Sequence, residues 1–257
     1  MHLGTMGWSY GFWKGKFYPE DSASKDYLRF YASRFNSVEV DNTFYRIPRV
    51  QTVEEWKQQT PARFTFSLKF PQKITHIKML KNCQEETTAF LNNVEKLQEK
   101  LGVLLLQFPP LFRQQHFTLL KDYLQSLPKE HHYAVEVRNK SLLNEEVYSL
   151  LRSHNVALAW ADAAKMPLVN EATADFLYVR WEGDRKTVNG TMGKTEADRI
   201  NQIQAWAEKL KPVLDSETHV FGYFSKYYSG FPPSDVGELL RRLQPAYLAA
   251  EEDSACT

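Results

Sequence analysis

At 257 residues the chain is too long for a minimal domain and short for two full ones, and 43% hydrophobic with 25% charged side chains is ordinary globular composition. A formal net charge of +1 excludes binding to nucleic acid by bulk charge and leaves only a local basic patch open. Two cysteines, Cys83 and Cys256, exclude a disulfide framework and a Cys-x-x-Cys metal knuckle.

Short apolar strands alternate with longer helical segments along the chain. The pattern predicts a first strand at 3–8. A helix follows at 24–35, with Tyr27, Leu28, Tyr31 and Phe35 at helical spacing. A strand at 37–40 leads to a helix opening at Thr52, where Thr52-Val53-Glu54-Glu55 has the form of a capping box. A strand at 64–70 precedes a long helix at 85–101, with Phe90, Leu91, Val94, Leu97 and Leu101 on one face. Then come a strand at 103–108, a helix at 114–124, a strand at 133–137 and a helix at 142–153. The strand at 157–161 is followed by a segment, 162–174, too short for a full helix. After the strand at 176–181, the polar stretch 184–194 with Gly190 and Gly193 reads as a mobile loop. A helix at 196–211, a strand at 219–224 and a helix at 235–243 complete a single domain over 1–245. Residues 246–257 read as a disordered tail.

Eight strands separated by helical crossovers predict parallel pairing in right-handed βαβ units. The fold class is α/β, with the sheet closed as a TIM-type (β/α)8 barrel and an irregular sixth unit. An open doubly wound sheet is the alternative, and no Gly-x-Gly-x-x-Gly turn marks the switch point it would use.

Side chains of a strand alternate between its two faces. In Ser37-Val38-Glu39-Val40 the valines suit the helix side, so Glu39 points into the barrel. The same parity turns Lys69, Glu136, Arg138 and Arg180 inward, and puts Gln107 and Asp162 at the C-terminal ends of their strands. Trp8, Tyr45, Trp181 and Tyr223 fall near the same rim. Three cations and two carboxylates predict a net cationic, aromatic-lined cleft for a small ligand with an anionic group and a flat or sugar-like body. A Glu–Arg pair across such an interior can equally be purely structural.

These residues also carry a family likeness. Gly4-Thr5-Met6-Gly7-Trp8-Ser9-Tyr10 with Phe17-Tyr18-Pro19 resembles the opening of the YecE-like family, domain of unknown function 72. In order follow Val38-Glu39-Val40-Asp41-Asn42-Thr43-Phe44-Tyr45, Trp56 with Thr60-Pro61, Phe64-Thr65-Phe66-Ser67-Leu68-Lys69, Thr75-His76, Gln107-Phe108-Pro109-Pro110, Val135-Glu136-Val137-Arg138 and Tyr178-Val179-Arg180. The likeness implies a triosephosphate-isomerase-type barrel and leaves the activity open. Two places depart from it. Relatives commonly show Arg-x-His-Gly after the seventh strand, where this chain has Arg180-Trp181-Glu182-Gly183. They commonly carry paired asparagines after the last strand, where this chain has Ser225-Lys226. Either change could alter or remove an activity the relatives have.

Other motifs weigh less. Gly7-Trp8-Ser9-Tyr10-Gly11 fits the Gly-x-Ser-x-Gly nucleophile pattern, but it ends a first strand rather than forming a central elbow. His76, in the loop after the third strand, could act as an acid or a hydrogen-bonder, or join Glu39, Glu136 and Asp162 around a divalent metal. Glu136 with Glu39 or Glu182 could form a glycosidase carboxylate pair if the groups stood about 5–5.5 Å apart. Arg63, Lys69, Lys73, Lys78 and Lys81 could meet phosphates, although such runs are usually solvated faces. Asn189-Gly190-Thr191 is a glycosylation sequon, without meaning in a cytoplasmic protein.

The expectation is a cytoplasmic barrel with no membrane partner and no required cofactor. Glu136, Glu39 and His76 are the catalytic candidates, for hydrolase or lyase-type acid–base chemistry. Trp8, Asn42, Tyr45, Lys69, Gln107, Arg138, Asp162, Arg180 and Tyr223 are the ligand-binding candidates. Two other readings stay open: a nucleic-acid-processing or nucleic-acid-binding barrel, by analogy with endonuclease IV, and a non-catalytic binding module.

Overall fold

A computed structural model describes residues 1–254, with side chains to Leu243. Among the described residues nine parallel strands form two sheets. One contains β1 (His2–Thr5), β9 (His219–Phe224), β8 (Phe176–Gly183) and β7 (Trp160–Ala163), in that spatial order. The other runs β2 (Ser37–Val40), β3 (Thr65–Lys69), β4 (Leu101–Gln107), β5 (His132–Glu136) and β6 (Val156–Leu158).

The strand expected at 157–161 is therefore two strands. β6 pairs with β5 and β7 pairs with β8, and Ala159 sits between them with its N–H donating to Val135 O at 2.9 Å. On the far side of the molecule, Met6 bridges Glu39 in parallel and the Gly7 N–H donates to Glu39 O at 2.8 Å.

Helices connect the strands: α1 (Tyr27–Ala32), α2 (Val50–Gln58), α3 (Gln84–Val94), α4 (Phe117–Ser126), α5 (Glu145–Ser153), α6 (Ile200–Asp215) and α7 (Pro232–Ser254). The expected tail at 246–257 overlaps the end of α7, and 255–257 lie outside the described residues. No regular element occupies 164–175, as the short sixth connection predicts.

Three local expectations change. Helix α2 starts at Val50 with Arg49 as its N-cap, so Thr52 lies inside the first turn and caps nothing. The long helix stops at Val94, and the chain continues as a 3-10 segment, Glu95–Lys100, broken at Gln98 (φ 54°). That break turns the chain into β4, and Lys100 then donates to Lys57 O and Thr60 O, both at 2.6 Å, closing the C-terminal end of α2. The loop after β8 is pinned rather than loose. Glu196 accepts from the Asn189 and Gly190 N–H groups at 2.8 Å, and Lys16 Nζ donates to Met192 O at 2.9 Å. Gly193 (φ +59°) packs so tightly that a Cβ there would stand 2.0 Å from Phe12 O.

Strand alternation divides the core. Val38, Val40, Phe66, Leu68, Leu104 and Leu106 face the helices in one large cluster, while Val179, Trp181, Val220 and Phe224 pack against α6 and α7. A smaller inner cluster, including Met6, Val103, Leu105, Ala134, Ala157, Phe176 and Phe221, draws on strands of both sheets. The polar site lies above this inner cluster, at the C-terminal ends of the strands.

Candidate functional site

The alternation in Tyr178-Val179-Arg180-Trp181-Glu182 turns residues 178, 180 and 182 inward and sends Val179 and Trp181 to the helix side. Arg180 is the hub and is 2% exposed. Its Nε donates to Glu39 Oε2 at 2.9 Å and its Nη2 to Glu39 Oε1 at 2.7 Å, a bidentate pair. Its Nη1 reaches Glu136 Oε2 and Glu182 Oε1. Tyr178 OH donates to Glu39 Oε2 at 2.7 Å, and Met6 Sδ accepts from Arg180 Nη2 at 3.4 Å.

Around Glu136, Gln107 Nε2 donates at 3.0 Å from β4, and Arg138 folds back from just beyond β5 to touch both Glu136 and Glu182. Glu39, Glu136 and Arg180 are all buried, so each charge depends on its partners.

The two inner carboxyls are driven apart in acidity. Burial raises Glu39 to about 7, and Arg180 only partly offsets it. Burial also acts to raise Glu136, but Arg138 and Arg180 outweigh it and hold that carboxyl at about 2. For Arg180, burial opposes the charge while Glu182, Glu39 and Glu136 raise its pKa well above the usual guanidinium value.

One side of the mouth is less saturated. Lys69 ends β3 with its Nζ 3.8 Å from Asp41 Oδ1 and 4.3 Å from the centre of the Phe44 ring. Asp41 Oδ1 is also 3.7 Å from Arg180 Nη2, and it is buried without a hydrogen-bond partner. Asp41 and Phe44 come from the 3-10 turn Asp41–Phe44 that follows β2. His76, in a π-helical turn Lys73–Ile77, meets the Phe44 ring edge-on at 4.8 Å, with its Nδ1 2.9 Å from Thr75 Oγ1. Burial, then Lys69 and Arg138, lower His76 to about 4, so its imidazole is neutral near pH 7.

Glu39, Glu136, Lys69, Gln107, Arg138, Arg180 and His76 thus share one region, and several other expected residues do not. Asp162 pairs in register with Trp181 on the outer face, and its Oδ2 accepts from Trp206 Nε1 of α6 at 3.0 Å. The proposed metal set of His76, Glu39, Glu136 and Asp162 is therefore not brought together. Among the described residues no group of three or more His, Cys, Asp or Glu could hold a metal ion.

Trp181 stacks on Phe224 and meets Trp206, behind the sheet rather than on the rim. Tyr223 does point inward, but its OH lies 2.7 Å from Ser37 Oγ and 2.8 Å from Ser67 Oγ, fully buried beneath the site. Trp8 packs edge-on against Trp56 and belongs to the outer core. Tyr45 is 73% exposed with Phe44 at its edge, and Asn42 is exposed on the same turn.

Asp41 and Tyr178 join the site without having been among its candidates, and Glu182, named only as a possible carboxylate partner of Glu136, joins it as well. The signal for them was the same alternation that picked out Glu39 and Arg180, carried two residues further. With Asp41 and Glu182 counted, four carboxylates face Lys69, Arg138 and Arg180, which overturns the expectation of a net cationic cleft.

The sequence matches the family described as "Protein of unknown function DUF72" over residues 2–255. It is 34% identical over 213 residues to the UPF0759 protein YecE of Escherichia coli (strain K12), covering 73% of this chain and 77% of that one. A solved DUF72 family protein from Thermotoga maritima MSB8 superposes with a TM-score of 0.82 at 25% identity, covering 95% of this chain and 98% of that one. A D-psicose 3-epimerase solved in the presence of D-fructose superposes with a TM-score of 0.52 at 10% identity, covering 97% and 98%, a TIM-barrel-like likeness of fold alone. Among the described residues, no helix is long and apolar enough to cross a membrane.

Proposed function

The chain belongs to the DUF72 family of unknown function, and from that premise we propose that it takes a small hydroxylated, anion-bearing ligand into its mouth and performs acid–base chemistry there. The reading includes closure of the two sheets into one barrel. The Met6–Glu39 bridge supports a joint on one side, and Ala159, continuous between β6 and β7, supports one on the other.

The observation that carries the ligand reading is the pair Lys69 and Asp41. Lys69 is 9% exposed, and its ammonium stands just beyond hydrogen-bond reach of a buried Asp41 oxygen that has no other hydrogen-bond partner. A buried oxygen left in this state calls for a partner. A ligand bearing an anionic oxygen for Lys69 and a hydroxyl for Asp41 would supply one to each, as a sugar acid or phosphorylated sugar does. The acid–base part rests on Glu39 and Glu136, two carboxyls whose surroundings separate their acidities, a recurrent arrangement for acid and base roles.

The test is a thermal-shift screen of the full chain against millimolar hexose phosphates and sugar acids, repeated with Lys69→Met. The expected result is a concentration-dependent rise in Tm for at least one hydroxylated anion that Lys69→Met abolishes. No shift with any of them, or the same shift in the variant, would overturn the reading. The complete pairing of Arg180 favours one second reading, a binding module without chemistry. Recovery of an unaltered ligand after long incubation would favour that alternative.

A further inference from the structure

The four connections that follow β2, β3, β4 and β5 are alike in composition. Residues 41–49, 70–83, 108–116 and 137–144 hold a single acidic residue, Asp41, which is committed to the mouth. They also carry Arg46, Arg49, Lys81, Arg113 and Lys140, all exposed, and among the described residues none of these five makes an ion pair. The same connections present Tyr45 (73% exposed), Ile77 (69%) and Leu111 (61%), one from each of the first three. β2 to β5 are neighbours in one sheet, so these loops form a continuous arc beside the mouth. The molecule as a whole is nearly neutral, and the arc is a local excess of positive charge interleaved with apolar side chains.

We propose that this arc binds a single-stranded polynucleotide and leads one of its nucleotides to the mouth. The inference rests on the mouth being a ligand site and names the larger molecule to which the ligand belongs. The five unpaired cations, beside Lys73 and Lys78 that Glu86 of α3 pairs, match the repeated charge of a phosphate backbone. Exposed side chains between them, with a tyrosine ring at one end, give bases a surface to lie on. The recessed polar floor beside the arc accepts one unit turned out of the strand, with Asp41 and Lys69 available to its hydroxyl and phosphate groups. An acidic protein would meet the cations and find no use for the apolar side chains on three of the loops. A membrane would call for contiguous apolar tips rather than alternation with charge.

The test is fluorescence anisotropy of the full chain with labelled 20-nucleotide poly-dT and poly-rU strands, from 25 to 200 mM salt. The expected result is binding whose logarithm falls linearly with the logarithm of salt, by about 0.7 per phosphate contact. The triple variant Lys81→Gln, Arg113→Gln, Lys140→Gln should weaken binding at least tenfold and flatten that slope by about 2. Tyr45→Ala should weaken it with the slope unchanged. All four positions are exposed, and matching circular-dichroism melts confirm that the variants fold. Absence of binding at 25 mM salt, an unchanged slope in the triple variant, or equal affinity for poly-glutamate or anionic phosphatidylserine vesicles would overturn the proposal. Strand binding that Lys69→Met leaves intact, with no small anion bound, would keep the arc and refute the mouth reading. Small anions bound without any strand would do the reverse.

Discussion

Arg180 meets Glu39 edge to edge, with Nε and Nη2 donating to the two carboxylate oxygens at 2.9 and 2.7 Å, although the residues lie 141 positions apart in the chain. The remaining nitrogen reaches Glu136 and Glu182, so one guanidinium ties β2, β5 and β8 together. A charge-assisted, bidentate contact of this kind is rigid as well as strong. It gives the mouth a fixed floor, with Lys69, Asp41, His76 and Arg138 around it.

Removing the hub should be costly. Arg180→Met leaves buried carboxylates without their main counter-charge, and the expected loss is about 3–5 kcal/mol of unfolding free energy. Urea denaturation at pH 7.5 measures it. A loss below about 1 kcal/mol would mean that the three glutamates do not depend on Arg180.

Tyr178 and Tyr223 offer a comparison between two buried hydroxyls. Tyr178 donates to the Glu39 carboxylate, whereas Tyr223 contacts two neutral serines. Hydrogen bonds to charged groups are worth roughly 1.5–3 kcal/mol and neutral ones about 1. Tyr178→Phe should therefore destabilise more than Tyr223→Phe at pH 8, where Glu39 is ionised. Equal losses in parallel urea titrations would contradict the assignment.

Asp235 sets a pH dependence outside the site. It is 5% exposed, burial raises it from 3.8 to about 7, and its Oδ2 accepts from Ser229 Oγ at 2.6 Å. A carboxyl whose folded pKa is raised contributes stability that is complete below its unfolded pKa and is lost as pH rises through the folded one. Asp235 and Glu39 should both make stability fall between about pH 4 and 7. Glu136, held at about 2, acts in the opposite sense, contributing above 4.5 and losing its effect as pH falls through 2. Asp235→Asn mimics the protonated side chain and should flatten the decline by a few kcal/mol, roughly 1.4 per pKa unit. Unfolding curves at pH 4.5 and 7.5 for both proteins would show it, and identical declines would refute it.

Gly4 tests the approach of β1 to β2. A Cβ on Gly4 would stand 1.9 Å from Ser37 O and 2.6 Å from Tyr31 OH, with backbone on one side that has no room to retreat. Gly4→Ala should destabilise by more than about 3 kcal/mol, or prevent folding, through overpacking. A Tm within a few degrees of the unsubstituted protein would show that the first two strands do not lie this close.

Much of the site was legible because alternation along a strand follows from covalent geometry. Ser37-Val38-Glu39-Val40 and Tyr178-Val179-Arg180 place Glu39 and Arg180 inward whatever surrounds them, and both are inward. The same rule, extended by two residues to count Asp41 and Glu182 in the inward set, would have corrected the sign of the charge. Asp162 was misplaced because the end of a strand says nothing about facing. Its register with Trp181 puts it against α6. Tyr223 faces inward as its position implies, but its depth below the mouth depends on where Ser37 and Ser67 stand, and they come from other strands.

Read alone, the sequence determined the α/β class, the order of the elements and the inward set Glu39, Lys69, Glu136 and Arg180, since periodicity and parity are properties of a short stretch of chain. Tertiary structure alone decided that Arg180 serves three carboxylates, that Trp8 and Trp181 belong to the outer core, and that Lys69 stops short of Asp41. Those facts depend on register and stagger between elements distant in the chain, by as much as 141 positions for Arg180 and Glu39, where a shift of a single residue would exchange every partner.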